Sequence, residues 1–333
     1  MSYLVNYYFL KNITMINIDY KYSNIYKNID DFTPLSGSKY IYGYSTESRS
    51  HTVDSLRSRY ITDIEFIKIT QFEDEKDYIS INVDIDNKIN LRDSSGIKQI
   101  FLSNQKAVIY IDVSGLNNRI TAALLNNVMK LINEDGIDLE VHVIYLEPKS
   151  YKIKQFRSVG VFNDLSEEIN GIEPLPGFAN IIPDDLDFKF IALLGFEGGR
   201  FTYLIDNVQP AYDNIIPIIG VPGYRIEYPF VAYWGNRRPL KTTRSYENIK
   251  FAAANSLVEV YILLTKIYNK TGKSKIKLAP VGTKPHAIGA MLFAIKNPND
   301  VELVYDNPKR KSVRTEGVGL LVDCCVTRLF KEV

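Results

Sequence analysis

The stretch Ala279–Ala294, APVGTKPHAIGAMLFA, joins a short apolar run to a helix of small residues through Gly282-Thr283-Lys284-Pro285. A parallel β-sheet requires junctions of this kind, because its neighbouring strands are connected by crossovers that are usually helical. The junction also gathers free backbone N–H groups, a hydroxyl and a cation where a strand meets a helix N-terminus, an arrangement suited to anions. Pro285 fits the first helical turn, where its missing N–H leaves nothing unsatisfied. Lys284 stands at the positive end of the helix, a place that favours a cation only beside a negative partner. Gly289 costs the helix roughly 1 kcal/mol relative to alanine and marks a close approach by a strand or a ligand.

A cruder copy of this layout lies earlier in the chain. Gly43-Tyr44-Ser45-Thr46-Glu47-Ser48-Arg49 matches Gly195-Phe196-Glu197-Gly198-Gly199-Arg200, each after an apolar run. Asp112-Val113-Ser114-Gly115-Leu116-Asn117 precedes one helix as Pro280-Val281-Gly282-Thr283-Lys284 precedes another. HVIYLEPKSY then parallels ELVYDNPKRK, setting Tyr145 and Glu147 against Tyr305 and Asn307. Three signals in the same order predict an α/β fold of two similar Rossmann-like halves with mostly parallel sheets. A single open sheet with similar βα junctions is the alternative.

The expected strands are 40–44, 64–70, 107–113, 139–145, 190–194, 215–219, 277–280 and 301–305. Helices are expected at 52–59, 96–103, 117–133, 246–268 and 285–295. Residues 73–93 read as a polar excursion or edge hairpin, and MSYLVNYYFLKNITMINIDY as an added N-terminal strand or hairpin. At 333 residues the chain is long for one unit. Residues 1–150 and 188–333 are the expected halves, joined by a Pro- and Gly-rich crossing at 151–187. The segment 220–244 lacks helical periodicity and reads as a long aromatic and basic loop.

Composition narrows the classes further. Apolar residues at 45 % and charged residues at 24 % suit a globular protein, and a net charge of +1 gives no bulk attraction to nucleic acid or membrane. The N-terminus has neither a basic n-region nor a cleavage site, and no apolar run is long enough to span a bilayer. The two cysteines, Cys324 and Cys325, are adjacent and would point to opposite faces of a strand, which predicts reduced thiols in a cytoplasmic protein and no metal site. No Walker motif, GxGxxG with a following acid, HExxH or GxSxG occurs, and no cofactor is expected.

Polar residues of the repeated junctions converge at the carboxyl ends of parallel strands, where such folds bind ligands. The candidate binding residues are Arg49, Ser114, Gly115, Arg119, Arg200, Arg225, Gly282, Thr283, Lys284 and His286. Should the chain be an enzyme, Glu47, Asp112, Glu197 and His286 are the candidate catalytic groups. Each has a structural alternative: Arg–Glu pairs hold an interface, Asp112 caps a helix, and His286 makes a polar or capping contact. In the segment 220–244, Tyr224, Tyr233 or Trp234 is suited to stack on a base while Arg225 or Arg237 meets phosphate. An aromatic cover or dimer interface is the competing reading there.

The arrangement Val281–Gly289 resembles the ligand loop of the CRISPR-associated Rossmann-like sensors of cyclic oligoadenylate, over some 30 residues around Leu278–Tyr305. With GYSTESRS, GFEGGR and PVGTKPHAIGA, the whole chain is similar to an uncharacterised bacterial family found with antiviral defence genes. The resemblance implies a nucleotide-like anionic ligand, often bound across a dimer, and a protein effector as partner, since no separate effector unit is visible in the sequence. The expected function is a nucleotide-sensing subunit of an antiviral defence system. The alternatives are an enzyme acting on a nucleotide or nucleoside, of hydrolase or glycosidase type, and a structural subunit of a defence complex.

Overall fold

β-Branched and aromatic runs build two sheets, and helices that are buried along one face or all round join them. The computed structural model describes residues 21–72, 74–82, 84, 86–103, 107–152, 165–179, 182, 183, 187–312 and 314–333. The first part of the chain gives β1 (Ser23–Tyr26), β2 (Lys39–Gly43), α1 (Val53–Tyr60), β3 (Glu65–Gln71), β4 (Tyr78–Ile81), β5 (Ile89–Asn90), α2 (Ser94–Leu102), β6 (Val108–Asp112), α3 (Asn118–Asn133), β7 (Glu140–Tyr151) and β8 (Ser166–Ile169). The second gives β9 (Phe188–Leu194), α4 (Gly198–Val208), β10 (Ile215–Gly220), α5 (Tyr228–Thr242), β11 (Lys250–Ala252), α6 (Leu257–Lys270), β12 (Lys275–Pro280), α7 (Lys284–Lys296) and β13 (Val301–Leu303). β14 (Pro308–Arg310), β15 (Thr315–Cys325) and α8 (Val326–Glu332) follow.

The larger sheet has the order β1-β15-β7-β6-β2-β3-β4-β5 and the smaller β11-β10-β9-β12-β13. All pairings of the smaller sheet are parallel. The larger is mixed: β7, β6, β2 and β3 are parallel, and antiparallel strands flank them on both sides. The fold is therefore a mixed α/β architecture of a general Rossmann-like kind. Reading β4-β3-β2-β6-β7 beside β11-β10-β9-β12-β13, each run places its five strands in the chain order third, second, first, fourth, fifth. Each consequently has a topological switch point, between β2 and β6 and between β9 and β12, the place where an open sheet leaves a crevice at its strand ends.

Helix α7 shows how the two sheets are tied. Every residue from Pro285 to Ala294 is buried, so the helix is apolar or small all round, as a central helix must be. It packs on both α3 and α6, and one hydrophobic cluster runs through Leu125 and Val128 of α3, Val260 and Leu264 of α6, and Met291 and Leu292 of α7. Each such side chain fully buried is worth about 1.5–3 kcal/mol. Gly289 permits the contact with α6, where an added β-carbon would lie 2.6 Å from the Leu257 carbonyl oxygen.

Three sequence expectations are corrected. The segment 220–244 is not a loop throughout, because it contains helix α5. Its buried stripe is Tyr228, Ala232, Gly235, Asn236, Pro239 and Leu240, helically spaced but mostly small or polar, so hydrophobic periodicity misses it. Gly235 and Gly198 bring α5 and α4 into backbone contact, a β-carbon on Gly198 falling 2.0 Å from the Gly235 carbonyl oxygen. The helix expected at 246–268 begins only at Leu257, after strand β11 and an N-cap by Ser256. Finally, residues 315–325 do not stay with the second sheet: β15 returns to the first and pairs with both β7 and β1. The edge hairpin expected at 73–93 corresponds to β4 and β5. The strand or hairpin expected for residues 1–20 lies outside the described residues.

Candidate functional site

The glycines of the switch-point loops serve contact between loops. A β-carbon on Gly115 would lie 1.8 Å from the Gly43 carbonyl oxygen; one on Gly282 would lie 3.0 Å from that of Leu193, and one on Gly195 3.1 Å from that of Val281. The remaining polar groups hold these turns. Asp112 accepts the Ser114 N–H at 2.8 Å and the Tyr40 hydroxyl at 3.1 Å, and Ser114 Oγ accepts the Leu146 N–H at 2.9 Å. Burial pushes the Asp112 carboxyl up, against the lowering effect of its Ser114 bonds.

Lys284 and its neighbours bridge the sheets. Lys284 Nζ donates to the Val113 carbonyl at 2.5 Å and also to that of Leu116, closing the loop after β6. Burial, and after it the nearby Arg49 charge, depress its pKa to about 7. Thr283 caps α7 by accepting the His286 N–H at 3.4 Å and donates its hydroxyl to Ala254 O at 2.7 Å. His286 is wholly buried, and its Nε2–H donates to the Ala253 carbonyl at 2.9 Å. Burial pushes its pKa down to about 4, so it is neutral at physiological pH and faces backbone.

The arginines are internally paired. Arg49 holds Glu47 at 2.6 and 2.7 Å, donates to Leu146 O at 2.8 Å and lies 5.2 Å from the Tyr145 ring centroid. Arg314 grips the other Glu47 oxygen at 2.7 Å. Arg200 grips Asp306 with two bonds of 2.7 and 2.5 Å, donates to Val281 O at 3.1 Å and lies 5.9 Å from the Tyr305 ring centroid. Glu197, 3.7 Å from Arg200, accepts the Leu165 N–H at 3.0 Å. Arg119 reaches across to Asn307 at 2.9 Å and pairs with Asp77, while its buried Nε has no partner. Arg225 is exposed, pairs with Glu227 at 2.7 Å and lies 6.0 Å from the Tyr228 ring centroid.

Glu147 is the main group that sequence reasoning passed over as a site residue. It is buried in β7 beyond that strand's pairing with β6 and meets the second sheet through Asn255 Nδ2 at 2.8 Å. Burial pushes its carboxyl up, with only the Asn255 bond opposing. Glu47 has the opposite environment. Burial works to raise it, yet Arg49 and Arg314 hold it down to about 2. Arg49 joins the two sides of this region: it holds Glu47 and also the carbonyl of Leu146, the residue before Glu147. Tyr224 and Tyr151 complete it, with Tyr224 OH bonded to Tyr145 OH at 3.2 Å and Tyr151 N–H donating to Tyr228 OH at 2.9 Å. The available sequence signal was the alignment of Glu147 with Asn307, since both reach across to the other sheet.

Two further features lie apart. At the start of β7, Glu140 and His142 meet Cys325 of β15, with donor atoms all within 4.8 Å of one another. The outer face of α5 carries a depression of about 670 Å³ lined by Tyr233, Trp234, Arg237 and Tyr246, with the Arg237 guanidinium 4.2 Å from the Trp234 ring centroid. Among the described residues no helix is long and apolar enough to cross a membrane.

No family model matches the chain, and no curated protein matches it. Among solved structures, the UDP-GlcNAc 2-epimerase of Methanocaldococcus jannaschii aligns over 84 % of this chain and 96 % of its own at 10 % identity and a TM-score of 0.19, too low to carry any argument.

Proposed function

We propose that the chain is an enzyme acting on a nucleotide- or nucleoside-like anion bound where the two sheets meet, of hydrolase or glycosidase type. One observation carries this reading: Glu47 and Glu147 are joined through the Arg49–Leu146 bond, and their surroundings push one carboxyl toward the neutral acid and hold the other as an anion. Paired titratable groups driven apart in this way are the mark of acid–base chemistry. Glu147 donates the proton to the leaving group as that bond breaks, water adds at the atom the group leaves, and the proton this water releases restores Glu147. Glu47 is too weak a base at about 2 to accept one, so it anchors Arg49 and Arg314 and balances positive charge. Arg314, the more exposed of the two arginines, meets the substrate anion, and the half-buried Tyr151 and Tyr224 flank its ring. The nucleotide class is supported by the sequence resemblance of Val281–Gly289 to cyclic-oligonucleotide sensors.

The test is incubation of the native chain with a panel of nucleotides, nucleosides and cyclic oligonucleotides, followed by mass spectrometry. A product formed by the native chain and lost in Glu147→Gln, with ligand affinity kept, supports the reading. Tight binding that leaves every ligand unchanged overturns it in favour of a sensing subunit.

A further inference from the structure

We propose that Glu140, His142 and Cys325 form a binding site for one divalent cation of the zinc class, with Asp323 as the group that orients the histidine. This inference is independent of the crevice. Glu140 pairs with Val108 at the start of β6, whereas Glu147 lies beyond the Asp112–Ile144 pair, at the opposite edge of the sheet.

The antiparallel β7–β15 register builds the site. Cys325 stands directly opposite His142, and Glu140 lies two residues from His142 on the same face. His142 Nδ1 faces Asp323 Oδ1 at 2.6 Å, and Nε2 faces Glu140 Oε1 at 3.0 Å. A carboxylate on Nδ1 is the usual outer-shell arrangement of a histidine bound to zinc, and Nε2, which here donates to Glu140, becomes the ligand once Glu140 turns onto the metal. One imidazole, one thiolate and one carboxylate suit zinc, whose bonds to such ligands are roughly 2.0–2.3 Å long. Glu140 is exposed, so its carboxylate is free to swing inward and close the 4.8 Å spread of donor atoms. The Cys325 sulfur lies 3.5 Å from Thr327 Oγ1, the one other side-chain group at hydrogen-bond range of it among the described residues. Three protein ligands leave a fourth position for water on the side where Glu140 is exposed. On binding, the Cys325 thiol and the His142 Nε2 that faces Glu140 each give a proton to solvent as the sulfur–metal and nitrogen–metal bonds form.

The chain holds two cysteines and three histidines in all, which makes the test unambiguous. The reduced full-length chain, stripped with a chelator, is titrated with Co²⁺ and followed by its thiolate-to-cobalt charge-transfer absorption, then competed with Zn²⁺. One equivalent is expected to bind, Zn²⁺ to displace it, and zinc to raise the thermal midpoint, because a ligand of the folded state alone stabilises it. The band is expected to vanish in Cys325→Ser and persist in Cys324→Ala, whose site packs into the main core. Asp323→Asn is expected to lower zinc affinity about 10- to 100-fold. The proposal is overturned by a native chain without the band, or by Glu140→Gln binding cobalt as tightly as the native chain. The latter alters an exposed side chain, so its folding is not in question.

Discussion

Lys284 of the second sheet donates a 2.5 Å hydrogen bond to the Val113 carbonyl of the first, so the start of α7 closes the loop that follows β6. A residue placed to receive an anion is thus engaged as a bridge between the sheets. Its ammonium donates to backbone oxygens of Val113 and Leu116, both buried residues.

Lys284→Ala is accordingly expected to destabilise the fold by about 1–3 kcal/mol, the usual penalty for unsatisfied buried acceptors. Chemical denaturation measures it. The native advantage over the mutant also depends on pH. Burial lowers the folded pKa from 10.5 to about 7, so between these values the unfolded chain binds more protons. Native stability relative to Lys284→Ala should therefore rise with pH across that window, and a flat difference would contradict the assignment.

Glu47 predicts the opposite end of the pH scale. Its carboxyl, at 4.5 in the unfolded chain and about 2 when folded, contributes stability that is complete above 4.5 and lost as pH falls through 2. Glu47→Gln should remove that acid-labile part and leave two guanidiniums without their anion. A cost of about 3–5 kcal/mol is expected near neutral pH, since breaking a buried pair strands charge. Thermal midpoints of both proteins against pH decide the matter.

Two adjacent glycines give a sharper contrast. Gly198→Ala sets a β-carbon 2.0 Å from the Gly235 carbonyl oxygen and should be strongly destabilising, because backbone must move. Gly199 has nothing within 4 Å of an added β-carbon and lies in the same helix, so Gly199→Ala should stabilise by about 0.5–1 kcal/mol. Equal effects at both positions would refute the close α4–α5 crossing.

Arg200→Lys keeps the charge but cannot reproduce the two-pronged grip on the fully buried Asp306. A loss of about 2–4 kcal/mol is expected, with Arg225→Lys at the exposed surface within about 0.5 kcal/mol of the native chain. Urea midpoints of the two variants separate an internal strut from a solvent-exposed pair.

Much of this layout was legible locally. The strand ends at Gly43, Asp112, Leu194 and Pro280 carry apolar runs that stop at small or polar residues, and the structure ends β2, β6, β9 and β12 there. The helix α5 was not legible, because Gly235 and Asn236 face inward where an apolar side chain would be expected. Pairing between distant segments was also hidden. Neither the apposition of His142 with Cys325 nor that of Glu147 with Asn255 leaves a trace in local periodicity. For the same reason the arginines showed their position but not their partners: Asp306, Arg314 and Asn307 lie far along the chain from Arg200, Glu47 and Arg119.

The return of β15 to the first sheet has a consequence for how the molecule can be made. Val322 seats beside Tyr145, and among the described residues β1 pairs only with β15, so the larger sheet stays unfinished until residues 315–325 have left the ribosome. Until then β7 offers an unpaired edge to any passing strand, a hazard for aggregation during synthesis. A fragment ending near residue 187 should share that hazard permanently, which makes this a protein to express whole rather than by halves.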